Sequence, residues 1–252
     1  KKTLKKLMID LDSDITISPI PSCQGFVDLD GSKSISNRVL LMAALSAGVT
    51  RLNNLLISED TEHLITALRN LGIKIDVSEG ERKNNALIHG VSGTIPVKTA
   101  KLFLGNAGTA FRPLTAVLSL SGGNYSMYGI ARMHERPIAD LINALTQLGA
   151  VIEYPGNEGY PPIEIRPGKI NAPQKISVKG NVSSQFLTSL LMAVPLLKTQ
   201  IKIELVGKLI SSPYVSITIS LMRQFGVDIV THTDGVFEFS GRDAYTSPGD
   251  LT

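Results

Sequence analysis

The sequence predicts an α/β domain made of three copies of one strand–helix–strand–helix–strand–strand unit, with helices inside and sheets outside. Three observations predict it. Glycines at positions 72, 149 and 226 recur at a constant spacing of 77, in Asn70-Leu71-Gly72-Ile73-Lys74-Ile75, Gln147-Leu148-Gly149-Ala150-Val151-Ile152 and Gln224-Phe225-Gly226-Val227-Asp228-Ile229. A glycine between a helical stretch and a β-branched run is a C-cap, because glycine enters the left-handed region without strain. Each copy also opens alike, with a polar turn running into an apolar helix. Finally, one such unit cannot bury its own helices, so three of them pack around a shared helical interior.

The elements follow in order. Gly31-Ser32-Lys33-Ser34 precedes the apolar run 39–45, Gly105-Asn106-Ala107-Gly108-Thr109 precedes 114–120, and Gly180-Asn181-Val182-Ser183-Ser184 precedes 186–197. Extended runs come next, at 49–56, 124–128 and 201–206. Each second helix has a capped or proline-marked start, at Ser58-Glu59-Asp60-Thr61, Glu135-Arg136-Pro137 and Ser211-Ser212-Pro213. Strand-like pieces follow each glycine, including 86–89, 163–165 and 236–239. The repeats therefore occupy residues 29–245, at about 29–100, 101–172 and 173–245.

Composition excludes several function classes. Aromatic residues make up 5% of the chain and there is no tryptophan, which argues against a base-stacking nucleic-acid surface. A net charge of +3 does not describe a polyanion binder, yet a few concentrated cations suit a small anionic substrate. Cys23 is the only cysteine, so neither an intrachain disulfide nor a cysteine-rich metal cluster is available. His63, His89, His134 and His232 show no metal-ligand spacing, and no metal or other cofactor is expected. The longest apolar runs are too short to span a bilayer, and a reducing cytoplasm is the expected location.

Helix N-termini carry unpaired N–H groups and a partial positive charge, so they bind phosphate and carboxylate. Pseudo-threefold packing would bring the three helix openings to one end, beside Lys33, Arg38, Arg112, Arg132 and Arg136. Taken singly, Gly31-Ser32-Lys33-Ser34 and Ser183-Ser184-Gln185 are as readily plain caps, and Tyr214 is as readily a packing residue. Their co-occurrence points to one cradle for a doubly anionic substrate, or for two anionic substrates.

The same residues carry a family resemblance. Gly31-Ser32-Lys33-Ser34-Ile35-Ser36-Asn37-Arg38 resembles the first signature of the 5-enolpyruvylshikimate-3-phosphate synthases. Leu102-Phe103-Leu104-Gly105-Asn106-Ala107-Gly108-Thr109-Ala110-Phe111-Arg112-Pro113-Leu114 resembles the second. Arg132-Met133-His134-Glu135-Arg136-Pro137-Ile138 and Ser183-Ser184-Gln185-Phe186-Leu187-Thr188 are similar to two more. The resemblance runs from about residue 15 to 248 and implies an enolpyruvyl transferase-like prism domain.

It also implies transfer of an enolpyruvyl group from phosphoenolpyruvate to the 5-hydroxyl of shikimate 3-phosphate, with release of phosphate. Lys33, Ser34 and Arg38 would then hold shikimate 3-phosphate, with Lys33 also reaching phosphoenolpyruvate as the catalytic cation. Ser183 and Ser184 would grip the 3-phosphate, Ser211 and Tyr214 would complete that side, and Gln185 would touch both ligands. Asn106, Gly108, Thr109 and Arg132 would bind phosphoenolpyruvate, and Gly108 would leave room for the inhibitor glyphosate.

Family members have a second, similar domain that supplies acid–base carboxylates to the same cleft. The resemblance therefore makes residues 1–28 an N-terminal extension and first strand that pairs with that domain, and residues 246–252 a crossover towards it. This chain would supply one half of the site, completed by a separate C-terminal half. Departures from the family pattern are Asp30 for the usual proline, Ile130-Ala131 for Glu-Pro, and Ser212 for a lysine. They leave open a catalytically incomplete fragment or a ligand-binding domain. The sister enzyme acting on UDP-N-acetylglucosamine is disfavoured, since its loop cysteine has no counterpart at 130–136.

Overall fold

A computed structural model of the chain describes residues 16, 18–27, 29–78, 80, 83–179 and 183–252. The first unit contains α1 (Lys33–Leu45), β1 (Val49–Leu55), α2 (Glu59–Asn70), β2 (Lys74–Ser78) and β3 (Asn84–His89). The second contains β4 (Thr99–Phe103), α3 (Gly108–Ser119), β5 (Asn124–Tyr128), α4 (Ala139–Thr146), β6 (Val151–Glu153) and β7 (Ile163–Arg166). The third contains β8 (Lys175–Lys179), α5 (Ser184–Ala193), β9 (Ile201–Val206), α6 (Ser212–Gln224), β10 (Val230–Thr231) and β11 (Val236–Phe239), and β12 (Asp250–Leu251) follows.

The strands form three four-stranded sheets, in the orders β12-β1-β3-β2, β4-β5-β7-β6 and β8-β9-β11-β10, with β12 completing the sheet of the first unit. The helices lie between the sheets. Helices α1, α3 and α5 are buried along most of their length, at polar positions such as Asn37, Arg38 and Arg112 as well as at apolar ones. Helices α2, α4 and α6 are amphipathic and cover them, and each helix touches the next around a closed ring from α1 to α6 and back. Side chains such as Leu40, Phe111, Leu114, Leu187 and Leu190 are fully enclosed there, each worth about 1.5–3 kcal/mol on burial.

The recurring glycines do the job their spacing predicts. Gly72, Gly149 and Gly226 have φ of 89°, 85° and 80°. In all three, the next N–H turns back to the carbonyl five residues earlier, Ile73 to Leu68, Ala150 to Leu145 and Val227 to Met222, closing the same Schellman turn.

Two features differ from the expected outline. Glu135-Arg136-Pro137 does not open a helix: residues Ala131–Glu135 form a 3-10 turn, Arg136 is extended at φ −97° and ψ 120°, and α4 begins at Ala139. Proline disfavours the helical region for the residue before it, and Arg136 takes the extended alternative that Arg112 before Pro113 and Val194 before Pro195 do not. Residues 246–252, expected as a crossover, also pair with β1. Ala47 bridges Thr246, Thr50 Oγ1 donates to Ser247 Oγ at 2.8 Å, and Arg51 and Leu52 pair in parallel with Asp250 and Leu251. This segment takes the position that β4 and β8 hold in their sheets, giving the exposed edge of β1 a partner. The second unit begins at Thr99, slightly ahead of the expected boundary. Of the expected N-terminal extension and first strand, residues 1–15, 17 and 28 lie outside the described residues, and 18–27 run exposed without helix or strand. Gly180-Asn181-Val182 also lies outside them. No described helix is long and apolar enough to cross a membrane.

Candidate anion-binding site

The openings of α1, α3, α5 and α6 meet at one end of the helical layer. They enclose a cavity of about 380 Å³ lined by Ser34, Arg38, Thr109, Ser183, Ser184, Gln185, Ile210, Ser211 and Tyr214. Long-range hydrogen bonds hold the openings together. Asn37 Nδ2 of α1 donates to Thr109 Oγ1 of α3 at 2.8 Å, and Arg112 Nη1 of α3 donates to Gln185 Oε1 of α5 at 2.6 Å. Arg38 Nε donates to Thr218 Oγ1 of α6 at 2.7 Å. Ser183 caps α5, its hydroxyl accepting the Gln185 N–H at 3.2 Å.

Arg38 is the cavity's cation. Its Nη1 donates to the Ser34 carbonyl at 2.8 Å, and its guanidinium lies 5.9 Å from the centre of the Tyr214 ring. Burial pushes its pKa down, partly opposed by Tyr214. A bound anion would compensate a charge that has been taken out of water. Ser211 precedes α6 with φ 56° and ψ 45°, a costly conformation for a serine, and its hydroxyl makes no cap bond. That leaves the hydroxyl free to face a ligand.

A second cationic cluster flanks the opening of α3. Arg112 is 6% exposed, donates from Nη2 to the Pro137 carbonyl at 3.0 Å, and has a buried Nε with no partner. Arg136 Nη1 donates to the Asn106 carbonyl at 2.8 Å and to Asn106 Oδ1 at 3.3 Å. Both guanidinium groups crowd Gly108, where an added Cβ would lie 2.5 Å from Arg136 Nη2 and 2.6 Å from Arg112 Nη1. Burial, and then the charge of Arg136, lowers the Arg112 pKa to about 10. The side chain stays charged at neutral pH, so two like charges converge on the α3 dipole, an arrangement that favours an anion.

The other expected residues stand outside the cavity. Lys33 is half exposed and pairs with Asp60 at 3.2 Å. Arg132 is exposed and pairs with Glu135, three residues along the 3-10 turn. Asp30 lines a neighbouring groove and not this cavity. Sequence reasoning missed Asn37 and Thr218, which join the helices. It counted Arg112 and Arg136 among nearby cations without giving them a role. Thr218 carried one signal, lying four residues after Tyr214 and hence on the same face of α6.

The sequence model for EPSP synthase (3-phosphoshikimate 1-carboxyvinyltransferase) matches residues 17–251. The chain belongs to the EPSP synthase family. A 3-phosphoshikimate 1-carboxyvinyltransferase of Cupriavidus necator is 50% identical over 240 residues, which cover 94% of this chain and 54% of that protein. One from Cellvibrio japonicus is 51% identical over 237 residues, covering 94% and 55%. An EPSP synthase structure from Acinetobacter baumannii superposes with a TM-score of 0.77 at 25% identity, covering 90% of this chain and 49% of that one. The chain thus spans about half the length of the EPSP synthases it matches. The three repeated units of this chain superpose on about half of that structure.

Proposed function

We propose that this chain forms the substrate-binding half of a cleft for enolpyruvyl transfer from phosphoenolpyruvate to shikimate 3-phosphate. The supporting observation is the meeting of four helix openings and Arg38 in one cavity beside the Arg112–Arg136 pair. A cavity holding one buried cation beside a pair of arginines suits two phosphorylated substrates. Ser183, Ser184, Ser211 and Tyr214 would hold the 3-phosphate, with Ser34 and Arg38 on the opposite wall. Asn106, Gly108 and Thr109 would offer the α3 opening to phosphoenolpyruvate, with Gln185 between the two ligands. Lys33 would swing from Asp60 to the reacting groups. Cations and N–H donors here would act most strongly on the charged tetrahedral adduct. The acid–base carboxylates would come from a C-terminal half, and the reaction would take place in the cytoplasm.

Within this reading Arg136, not Arg132, serves phosphoenolpyruvate. Arg136 already binds the Asn106 turn, whereas Arg132 is spent on Glu135 in solvent. Arg136→Ala should weaken phosphoenolpyruvate binding by roughly 10-fold or more, the worth of a charge-assisted contact, and Arg132→Ala should change it less than about 2-fold. Calorimetry on the two variants separates these outcomes, and the reverse order would reinstate Arg132.

The function itself is tested by mixing. The chain alone should bind shikimate 3-phosphate weakly, with binding lost in Ser183→Ala, and should not turn over. Adding the C-terminal half of the Cupriavidus necator enzyme should restore phosphate release from the substrate pair. Binding that survives Ser183→Ala, or no turnover with several such halves, would refute the proposal.

A further inference from the structure

The turn that carries Asn106 is held on two faces. On one, Gly129 ends β5 against it, and the Ile130 N–H donates to the Gly105 carbonyl at 3.1 Å. On the other stands His63, a residue of the first unit at the start of the second turn of α2. Helix α2 packs on β4 and α3, and a Cβ placed at Gly105 would collide with His63 Nε2. The imidazole therefore rests directly on the glycine, whose missing side chain admits it.

Ring contacts fix His63 in turn. It meets Phe103 edge to face, with centroids 5.1 Å apart and planes at 89°, and Phe103 leans on Tyr128 at 5.4 Å. Phe103 and Tyr128 are the last residues of β4 and β5, the strands that run into the Gly105 and Gly129 turns. Edge-to-face contact favours one orientation of the ring. His63 Nε2 is enclosed and has no hydrogen-bond partner among the described residues, and Glu59 Oε1 stands 3.5 Å away. An enclosed polar atom without a partner lowers stability, so hydrogen bonding by Nε2 is not what the residue contributes. What it contributes is its shape against the turn.

We propose that His63 is a positioning residue for the anion pocket at the opening of α3. It holds the Gly105–Asn106 turn against Gly129 and acts through that turn on Arg136. The Asn106 carbonyl and Oδ1 thus stay where Arg136 Nη1 reaches them at 2.8 and 3.3 Å, and Arg136 stays beside Arg112 over Gly108. His63 is not part of the cavity lining, so it touches the bound anion only through these neighbours. A guanidinium displaced by about 1 Å loses much of its grip on an anion, which is why a side chain behind the turn can set affinity. The first unit in this way sets the geometry of a cation that belongs to the second. The role rests on Arg136 serving phosphoenolpyruvate.

A double-mutant cycle tests it, with phosphoenolpyruvate binding read by calorimetry. His63→Ala should weaken binding roughly 5-fold in the parent chain and less than about 2-fold in the Arg136→Ala chain, because the two residues act in series. Shikimate 3-phosphate, held on the Arg38 side, should change less than about 2-fold in the same variants. His63→Asn keeps part of the ring's volume but lacks the edge that meets Gly105. It should show the same pattern with little change in melting, and it replaces the alanine form should that fail to fold. Equal losses in both backgrounds, or equal losses for the two ligands, would reduce His63 to general packing and overturn the proposal while leaving Arg136 in place. An Arg136→Ala chain that binds phosphoenolpyruvate as the parent does would instead overturn the assignment of Arg136, and the role of His63 with it.

Discussion

Inorganic phosphate at about a hundred times its dissociation constant should raise the melting temperature of this chain by roughly 5–10 °C, and Arg112→Met should reduce that rise to about 1–2 °C. Arg112 holds its charge in a buried position beside a like charge, and its pKa falls to about 10 in consequence. The sign follows from the direction. A base whose folded pKa lies below its unfolded value binds its proton less firmly in the folded chain. The folded state therefore bears a penalty at every pH below about 10, on the order of 3 kcal/mol, which disappears only as pH rises through 10 and above. An anion bound between Arg112, Arg136 and the α3 opening offsets that penalty at neutral pH. Methionine keeps the volume and removes the charge, so phosphate should lose about 100-fold in affinity, and differential scanning fluorimetry at increasing phosphate reads the difference. A rise in the variant equal to that of the parent chain would place the anion elsewhere.

Gly129→Ala should lower stability by about 3 kcal/mol, or roughly 10 °C in melting temperature, and should blunt the phosphate response as well. Gly129 ends β5 where the Gly105 turn crosses it, and the Ile130 N–H donates to the Gly105 carbonyl at 3.1 Å. A Cβ at Gly129 would collide with that carbonyl oxygen and come within 2.8 Å of Met133 Cβ. The colliding atom belongs to backbone, so the relief available to a flexible side chain is absent. The turn has to move, and it carries the Asn106 carbonyl that fixes Arg136. Gly156→Ala is the control, since its added methyl would meet only Pro162 Cδ at 3.5 Å and should leave melting unchanged. A stable Gly129→Ala variant with an undiminished phosphate response would show that the turn does not position the cations.

Much of this was legible in the sequence because the signals are local. A cap glycine, a β-branched run and an apolar helix are each encoded within a few residues, and the spacing of 77 carried them through three units. The family resemblance rested on contiguous motifs for the same reason. Within the site, residues on the helix openings themselves, such as Ser34, Thr109 and Ser183, could be named because the opening of a helix is a local event.

The remaining assignments depended on contacts far apart in the chain. Arg132 and Arg136 stand four apart with similar neighbours. Only the crossing of the Asn106 turn over Arg136, 30 residues away, distinguishes them. Arg38 meets Thr218 across 180 residues, and Thr50 meets Ser247 across 197. The second of these contacts helps to seat β12 at the edge of the first sheet. The sequence alone determined the repeat, its helices and strands, and the family, because backbone conformation and amphipathic period are set by near neighbours. The tertiary structure decided which cations share a pocket and which segment closes each sheet, because burial and charge pairing are settled only when distant segments exclude water from one another.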